Sequence, residues 1–236
     1  MSSRIVIGKH GVLSCLSSSD HVEKAYLRKG IGKTGVQRII ELAKERRILV
    51  QWLEPHSFDL RFKGDHQGVA CISHAFRQFS IADAINQKPP VILMLDHIQD
   101  PHNFGAICRS AEAFGVHHVC YPKNRSVQIT PSVEKASAGA IEMVSFCKLT
   151  NLSQSLNELR KGGYWVYAAS SNAGTAIHSI IMNQPMVLIM GSEHQGVSPG
   201  LSKSIDEWLH IPLTGKTSSL NVSVAAGIIL SKIALT

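Results

Sequence analysis

Leu95–Gly115, LDHIQDPHNFGAICRSAEAFG, is the stretch on which the reading of this chain turns. It leaves an apolar strand, Val91–Leu95, passes through an acidic turn containing Pro101 and Asn103, and enters a helix in which Arg109 sits among Ala106, Ser110 and Ala111. Polar groups on a strand-to-helix turn lie at the carboxyl edge of the strands, where α/β sheets bind ligands. With only small residues around it, the Arg109 guanidinium has open access to an anionic or polar target.

Strand–turn–helix units with an arginine are common, so the weight falls on two later segments. GSEHQGVSPGL, residues 191–201, directly follows the apolar run MVLIM. Gly191 and Gly196 let the backbone approach a ligand closely, and Glu193 supplies a carboxylate at the strand exit. IPLTGKTSSLNVSVAAG, residues 211–227, begins where another strand ends at Ile211, crosses a Gly/Ser/Thr loop, and places Ser219 and Asn221 at the entrance of an apolar helix. A serine or asparagine at a helix start ordinarily caps it, which accounts for either residue taken alone. Three polar strand exits bearing Asn103, Arg109, Glu193, Ser219 and Asn221 point instead to one shared active site.

Around these segments the pattern alternates. From Pro90 onward, apolar strands are expected at 91–95, 117–121, 141–146, 164–169, 186–190 and 207–211, with helices at 103–114, 131–138 and 152–161. Such alternation predicts an α/β fold built on a mainly parallel sheet flanked by helices. The last helix, Asn221–Leu235, is apolar nearly all round, with Lys232 its one charge, and is expected in the core or in a subunit interface. Residues 1–75 read as a separate small α/β module. It has a short strand at Ile5–Ile7, a helix start at Lys9–Leu16 and a closing strand at Gly68–Ser73. Between them, an amphipathic helix is capped by Thr34 with Gln37 and runs through Val36, Ile39, Ile40, Ala43 and Leu49. Its other face carries Arg38, Lys44, Arg46 and Arg47 and reads as a solvated face. Residues 76–89, with the Pro89-Pro90 pair at their end, are expected to be a linker.

Composition narrows the function classes. The 236 residues hold 44% hydrophobic and 17% charged residues, a globular balance. No apolar run reaches the roughly 18 residues needed to span a bilayer, and the first residues lack a secretory pattern. The five cysteines, none in a Cys-x-x-Cys pair, fit a reducing, cytoplasmic setting and oppose a zinc ribbon. The scattered histidines give no metal motif. Net charge is +7, and residues 1–75 carry twelve Lys and Arg against seven Asp and Glu, so most of the excess lies in that module. A polyanion such as nucleic acid is one partner this fits; ordinary solubility charge accounts for it equally well. Gly215-Lys216-Thr217 imitates a P-loop, but the required earlier glycine is His210.

Taken together, DPHNFGAICRSAEAFG, GSEHQGVSPGL and SLNVSVAAG resemble, in this order, the three motifs of the SpoU (TrmH) family of RNA ribose 2'-O-methyltransferases of the SPOUT superfamily. The resemblance covers about residues 90–236. HGVLSCL and HQGVA extend it to the substrate-binding domain of the RlmB type, which methylates a guanosine ribose of 23S rRNA. The resemblance implies a SPOUT-type, mainly parallel sheet with a C-terminal trefoil knot in a catalytic domain 90–236. A small α/β RNA-binding domain, 1–75, would precede it. It implies a homodimer, S-adenosyl-L-methionine as cofactor, and no metal or membrane. Gly191, Ile211 and Leu220 would hold the cofactor, with Ala169 in a neighbouring loop. Arg109 is the residue the family credits with activating the hydroxyl. Because arginine stays protonated, its expected role here is to hold the target phosphate and stabilise the developing alkoxide. Asn103 would orient Arg109 or the ribose, Glu193 would fix the active-site geometry, and Ser219 with Asn221 would order the cofactor loop. A tRNA ribose methyltransferase, or a non-catalytic RNA-binding protein on the same scaffold, stands as the alternative.

Overall fold

The computed structural model describes residues 3–18, 22–32, 35–74, 76–171, 174–193 and 195–235, with the backbone alone at 74 and 131. Thr34, the expected helix cap, and residue 75, the expected domain end, lie outside them. By its contacts the chain divides into two units, Met1–Phe76 with Ala138–Met143, and Arg77–Ser137 with Val144–Thr236.

The first unit is a four-stranded sheet of β1 (Ser3–Ile7), β2 (Val22–Arg28), β3 (Leu49–Leu53) and β4 (Val69–His74), ordered β1-β4-β2-β3. Only the β2–β3 pair is parallel. Period-2 alternation sends Val6, Ala25, Leu27, Val69 and Cys71 under helices α1 (Lys9–Ser18) and α2 (Gln37–Glu45). Tyr26 and Ala70 on the other face pack against Phe58 and Phe62 of α3 (Pro55–Arg61) and the residue after it. Two expectations are met and one changes. The buried strand expected at Gly68–Ser73 is β4, the last of the unit in sequence, set inside the sheet between β1 and β2. The amphipathic helix stops at Glu45 rather than running to Leu49: Arg47 turns left-handed (φ 56°), and Leu49, 61% exposed, opens β3. On its basic face, Arg38 is paired with Glu41 and Glu45 at 3.4 and 3.7 Å, and Arg46 donates to the Ser17 carbonyl.

The second unit holds seven strands, all paired in parallel: β5 (Val91–Leu95), β6 (His118–Pro122), β7 (Ser145–Leu149), β8 (Trp165–Ser170), β9 (Thr175–Ala176), β10 (Met186–Met190) and β11 (Glu207–His210). Their lateral order is β7-β6-β5-β10-β8-β11-β9. β5 and β10 are buried along their whole length, as expected for strands covered by helices on both faces. On one side Ile92, Met94, Val187 and Ile189 pack with α4 (Ile81–Gln87) and α7 (Leu152–Lys161). Helices α5 (Pro101–Ala113), α6 (Pro131–Ala136) and α8 (Val222–Ala234) form the other layer, α5 lying against both α6 and α8. Gly105 makes the α5–α6 approach possible: a Cβ there would stand 2.6 Å from the Ala136 Cβ and 2.7 Å from the Val133 carbonyl.

The expected linker is not one. Phe79 N donates to Phe146 O alongside β7, and Ser80 with Asp83 forms a capping box that starts α4, whose Ile81 and Ala84 enter the core. The expected strand at 141–146 is displaced as well. Gly139 (φ 94°) leads into a 3-10 turn at Ala140–Glu142, and pairing begins only at Ser145 opposite His118. A short apolar run does not by itself tell a turn from a strand. No helix of the described residues is long and apolar enough to cross a membrane.

Candidate active site

Because the seven strands are parallel, their carboxyl ends share one edge, and the order β10-β8-β11 sets three of these exits side by side. There the second unit holds a cleft of about 470 Å³. Ala169, Ser170 and Ser171 come from the end of β8, Met190–Glu193 and Gln195–Val197 from β10, and Trp208, Leu209, Ile211 and Leu213 from β11. Ser218, Ser219 and Leu220 bring the chain back from β11 toward α8, whose Val222, Ala225 and Ile229 close the cleft. All four residues expected to hold the cofactor, Ala169, Gly191, Ile211 and Leu220, line this space, as do Glu193 and Ser219.

Loop 191–197 is shaped by its glycines. Ser192 and Gly196 exchange backbone hydrogen bonds of 3.0 and 2.9 Å, so the chain doubles back on itself. Gly196 takes φ 64°, where only glycine is unstrained. A Cβ on Gly191 would stand 2.1 Å from the Gly196 carbonyl carbon and 2.2 Å from the Val197 nitrogen. No side chain fits there.

Three of the expected catalytic residues are joined by hydrogen bonds. Asn103, nearly buried in the first turn of α5, donates its amide to the Glu193 carboxylate. Its Oδ1 accepts from Asn221 Nδ2 at 3.1 Å. The Asn221 Oδ1 in turn accepts from the Ser223 backbone N–H and hydroxyl at 2.9 and 2.6 Å. Both amide orientations follow from the ends of this chain. An ionised carboxylate only accepts, so Asn103 must offer Nδ2 to Glu193 and its oxygen to Asn221; a backbone N–H only donates, so Asn221 must offer it oxygen. Capping and site formation thus coincide, since Asn221 caps α8 with one end and reaches Asn103 with the other.

Arg109 stands apart. It is exposed, does not line the cleft, and forms no ion pair among the described residues. Six residues beyond Asn103, it points away from the Asn103 side of α5, as 3.6 residues per turn require. It follows Ala106 and precedes Ser110, which with Phe114, Val224, Gly227 and Ile228 line a shallow, largely apolar groove between α5 and α8. The apolar final helix is therefore covered on one side only: Ala226, Ile229, Leu230 and Ile233 are buried, while Val224 and Ile228 are exposed. No cluster of metal-ligating residues occurs among the described residues.

Sequence reasoning missed Trp208, Leu213 and Ser218 of the cleft lining, for which composition carries no signal. It also missed Asp96, although a charge ending a fully apolar strand is a readable sign. Asp96 is fully buried and accepts hydrogen bonds from the Ser198 backbone N–H, at 2.6 Å, and from the His97 ring.

Comparison with known proteins shows the family. The model of the SpoU rRNA Methylase family matches residues 90–231, and that described as RNA 2'-O ribose methyltransferase substrate binding matches residues 5–79. The chain belongs to the SpoU (TrmH) family of RNA methyltransferases. It is 36% identical, over 97% of its length and 94% of the relative's, to YacO of Bacillus subtilis (strain 168), which is named as a TrmH family tRNA/rRNA methyltransferase. Among solved structures, one named as an RNA methyltransferase of the TrmH family from Porphyromonas gingivalis is similar with a TM-score of 0.78 at 26% identity, covering 98% of this chain and 89% of that one. The SpoU methyltransferase AviRb from Streptomyces viridochromogenes, solved in complex with AdoMet, shares the fold with a TM-score of 0.79 at 19% identity, covering 99% and 89%.

Proposed function

We propose that this protein transfers a methyl group from S-adenosylmethionine to a ribose 2'-oxygen of RNA, with a guanosine of 23S rRNA as target. The observation that carries the reading is the Asn221–Asn103–Glu193 chain, which ties three segments far apart in sequence together beside one cleft. The cleft suits the cofactor in size, within the roughly 300–1,000 Å³ usual for such ligands. It also suits it in lining: Trp208, Leu209, Ile211 and Leu220 offer apolar surface, while Ser192, Ser219 and Glu193 offer polar groups. When bound, S-adenosylmethionine supplies an electrophilic methyl group on a sulfonium.

The protein's part is to hold and orient. Backbone at Gly191, Ile211 and Leu220, with Ala169 beside them, would hold the cofactor, and Ser219 with Asn221 would order the cofactor loop. Glu193, fixed by Asn103, keeps the strand exit in shape. Arg109 holds the phosphate next to the target ribose and stabilises charge developing on the 2'-oxygen, and water or a phosphate oxygen takes the proton, since a guanidinium is effectively always charged. The exposed α5–α8 face is the proposed homodimer surface, which would place Arg109 at the subunit boundary. The catalytic domain is proposed as 90–236 and the RNA-binding domain as 1–75; the substrate-binding match at 5–79 supports the latter.

Transfer of tritiated methyl from S-adenosylmethionine to total RNA, followed by ribose-methylation mapping, tests the proposal. Label at a guanosine 2'-oxygen of 23S rRNA is the expected result. Label in tRNA would replace the target, and RNA binding without label would reduce the protein to a binder on this scaffold.

A further inference from the structure

Asp96 is a buried ionisable group that the proposed mechanism leaves unused. It follows β5 directly and is 0% exposed. Its backbone N–H donates to Met190 O at 2.8 Å, continuing the β5–β10 ladder by one step. One carboxylate oxygen accepts from the His97 ring Nδ1. The other accepts from the backbone N–H of Ser198 at 2.6 Å. His97 takes a left-handed backbone (φ 59°), which non-glycine residues seldom adopt, and its ring nitrogen lies against the carboxylate that precedes it. A carboxylate is costly to bury, and this one is spent on holding a single backbone N–H and one ring.

Ser198 is where the cleft loop ends. Residues 191–193 and 195–197 follow β10 after Met190, are joined by the Ser192–Gly196 pair and line the cleft. The Ser192–Gly196 bonds fix the loop's inner shape, while the Asn103–Glu193 hydrogen bond and the packing of Val197 on the core share in fixing where it sits. The ladder at Met190 holds one end, and Asp96 holds the other.

We infer that Asp96 is a positioning residue that pins loop 191–197 against the end of β5 and so presets the cleft for its cofactor. The inference rests on the reading of that cleft as an S-adenosylmethionine site. Pinning reduces the conformations lost on binding, so its loss weakens cofactor affinity more than it slows the chemical step.

Calorimetric binding of S-adenosylmethionine to the full chain, with kinetics at saturating cofactor, tests it. Asp96→Ala removes the acceptor. Ser198→Pro removes the N–H, and with it the hydroxyl 3.4 Å from the His97 ring nitrogen, at a residue whose φ of −57° a proline adopts. Both are expected to raise the Kd and the cofactor KM about tenfold or more, with kcat within about threefold of the parent. Asp96→Asn, which keeps an oxygen for the Ser198 N–H, should recover most of the affinity. A folded Ser198→Pro protein with parental affinity would overturn the inference, and so would Asp96→Asn as weak as Asp96→Ala. If Asp96→Ala and Ser198→Pro both fail to fold while Asp96→Asn is native, the contact serves folding and the inference also falls. A parent protein that does not bind S-adenosylmethionine refutes the cofactor reading instead.

Discussion

Replacing Asn103 by aspartate tests the hydrogen-bond chain with almost no change in volume. The acceptor oxygen toward Asn221 is kept, and the amide that donates to Glu193 becomes a second carboxylate oxygen. Two effects add. A hydrogen bond to a charged group, worth about 1.5–3 kcal/mol, is lost. A repulsion takes its place, worth about 1 kcal/mol at 4 Å in water and about 4 kcal/mol at an effective dielectric of 20. Asn103 is nearly buried but Glu193 is exposed, so solvent screening favours the lower ends and a net cost of roughly 2–4 kcal/mol. Two carboxylates in contact cannot both stay ionised cheaply, so one takes up a proton more readily than usual. The folded variant then binds more protons than the unfolded chain, and its stability relative to the parent must rise as pH falls. Urea unfolding between pH 8 and pH 5 should show the largest deficit at the alkaline end and recovery toward the acid end. Asn103→Leu, which introduces no charge, should show a deficit nearly independent of pH. Parental stability for Asn103→Asp across this range, or a deficit that grows on acidification, would refute the contact between Asn103 and Glu193.

Other perturbations probe separate parts of the site. Gly191→Ala forces a Cβ onto the Gly196–Val197 backbone and should cost about 1–3 kcal/mol while displacing the cleft loop; calorimetry should show cofactor affinity lost together with stability. Arg109→Ala should lower turnover by on the order of 10² to 10⁴-fold, with cofactor affinity unchanged because Arg109 does not line the cleft. Arg109→Lys should also be poor, since an ammonium lacks the bidentate fork, and near-parental methylation by either variant would remove Arg109 from the mechanism. Burial and the neighbouring His117 hold the His118 imidazole below its ordinary value near 6.5, with its ring edge-on to Phe79. Its contribution to stability is present above pH 6.5 and lost as pH falls below it, because the unfolded chain protonates first. Thermal unfolding of His118→Gln should accordingly flatten between pH 7 and pH 5.

Much of the catalytic unit was legible because its signals are local. Val91–Leu95 and Met186–Met190 are apolar runs of strand length, and Asp100-Pro101 begins α5 by capping and ring geometry that act within one turn. The N-terminal unit was harder to read. β2 and β3 carry Glu23, Lys24, Gln51 and exposed Trp52, so burial on one face leaves no clean alternation, and the helix–strand border at Arg46–Leu49 depends on a left-handed residue that no pattern announces. The same holds for 76–89, where polar composition hid a helix whose two buried residues, Ile81 and Ala84, suffice to dock it.

For the site, sequence alone determined which residues stand at strand exits, because apolar runs end where polar loops begin. It named Asn103, Glu193, Ser219, Asn221 and the glycines of loop 191–197 on that ground. Only the tertiary structure decided which exits are neighbours. Strand order is a matter of long-range pairing, and placing β10 between β5 and β8, with α8 returned against α5, is what lets Asn221 reach Asn103 and Asn103 reach Glu193. The same geometry left Arg109 exposed and outside the cleft, and brought Asp96 to Ser198 at the end of the cleft loop. A residue's type and local period state what it can bond; its partner is settled by which strands lie side by side.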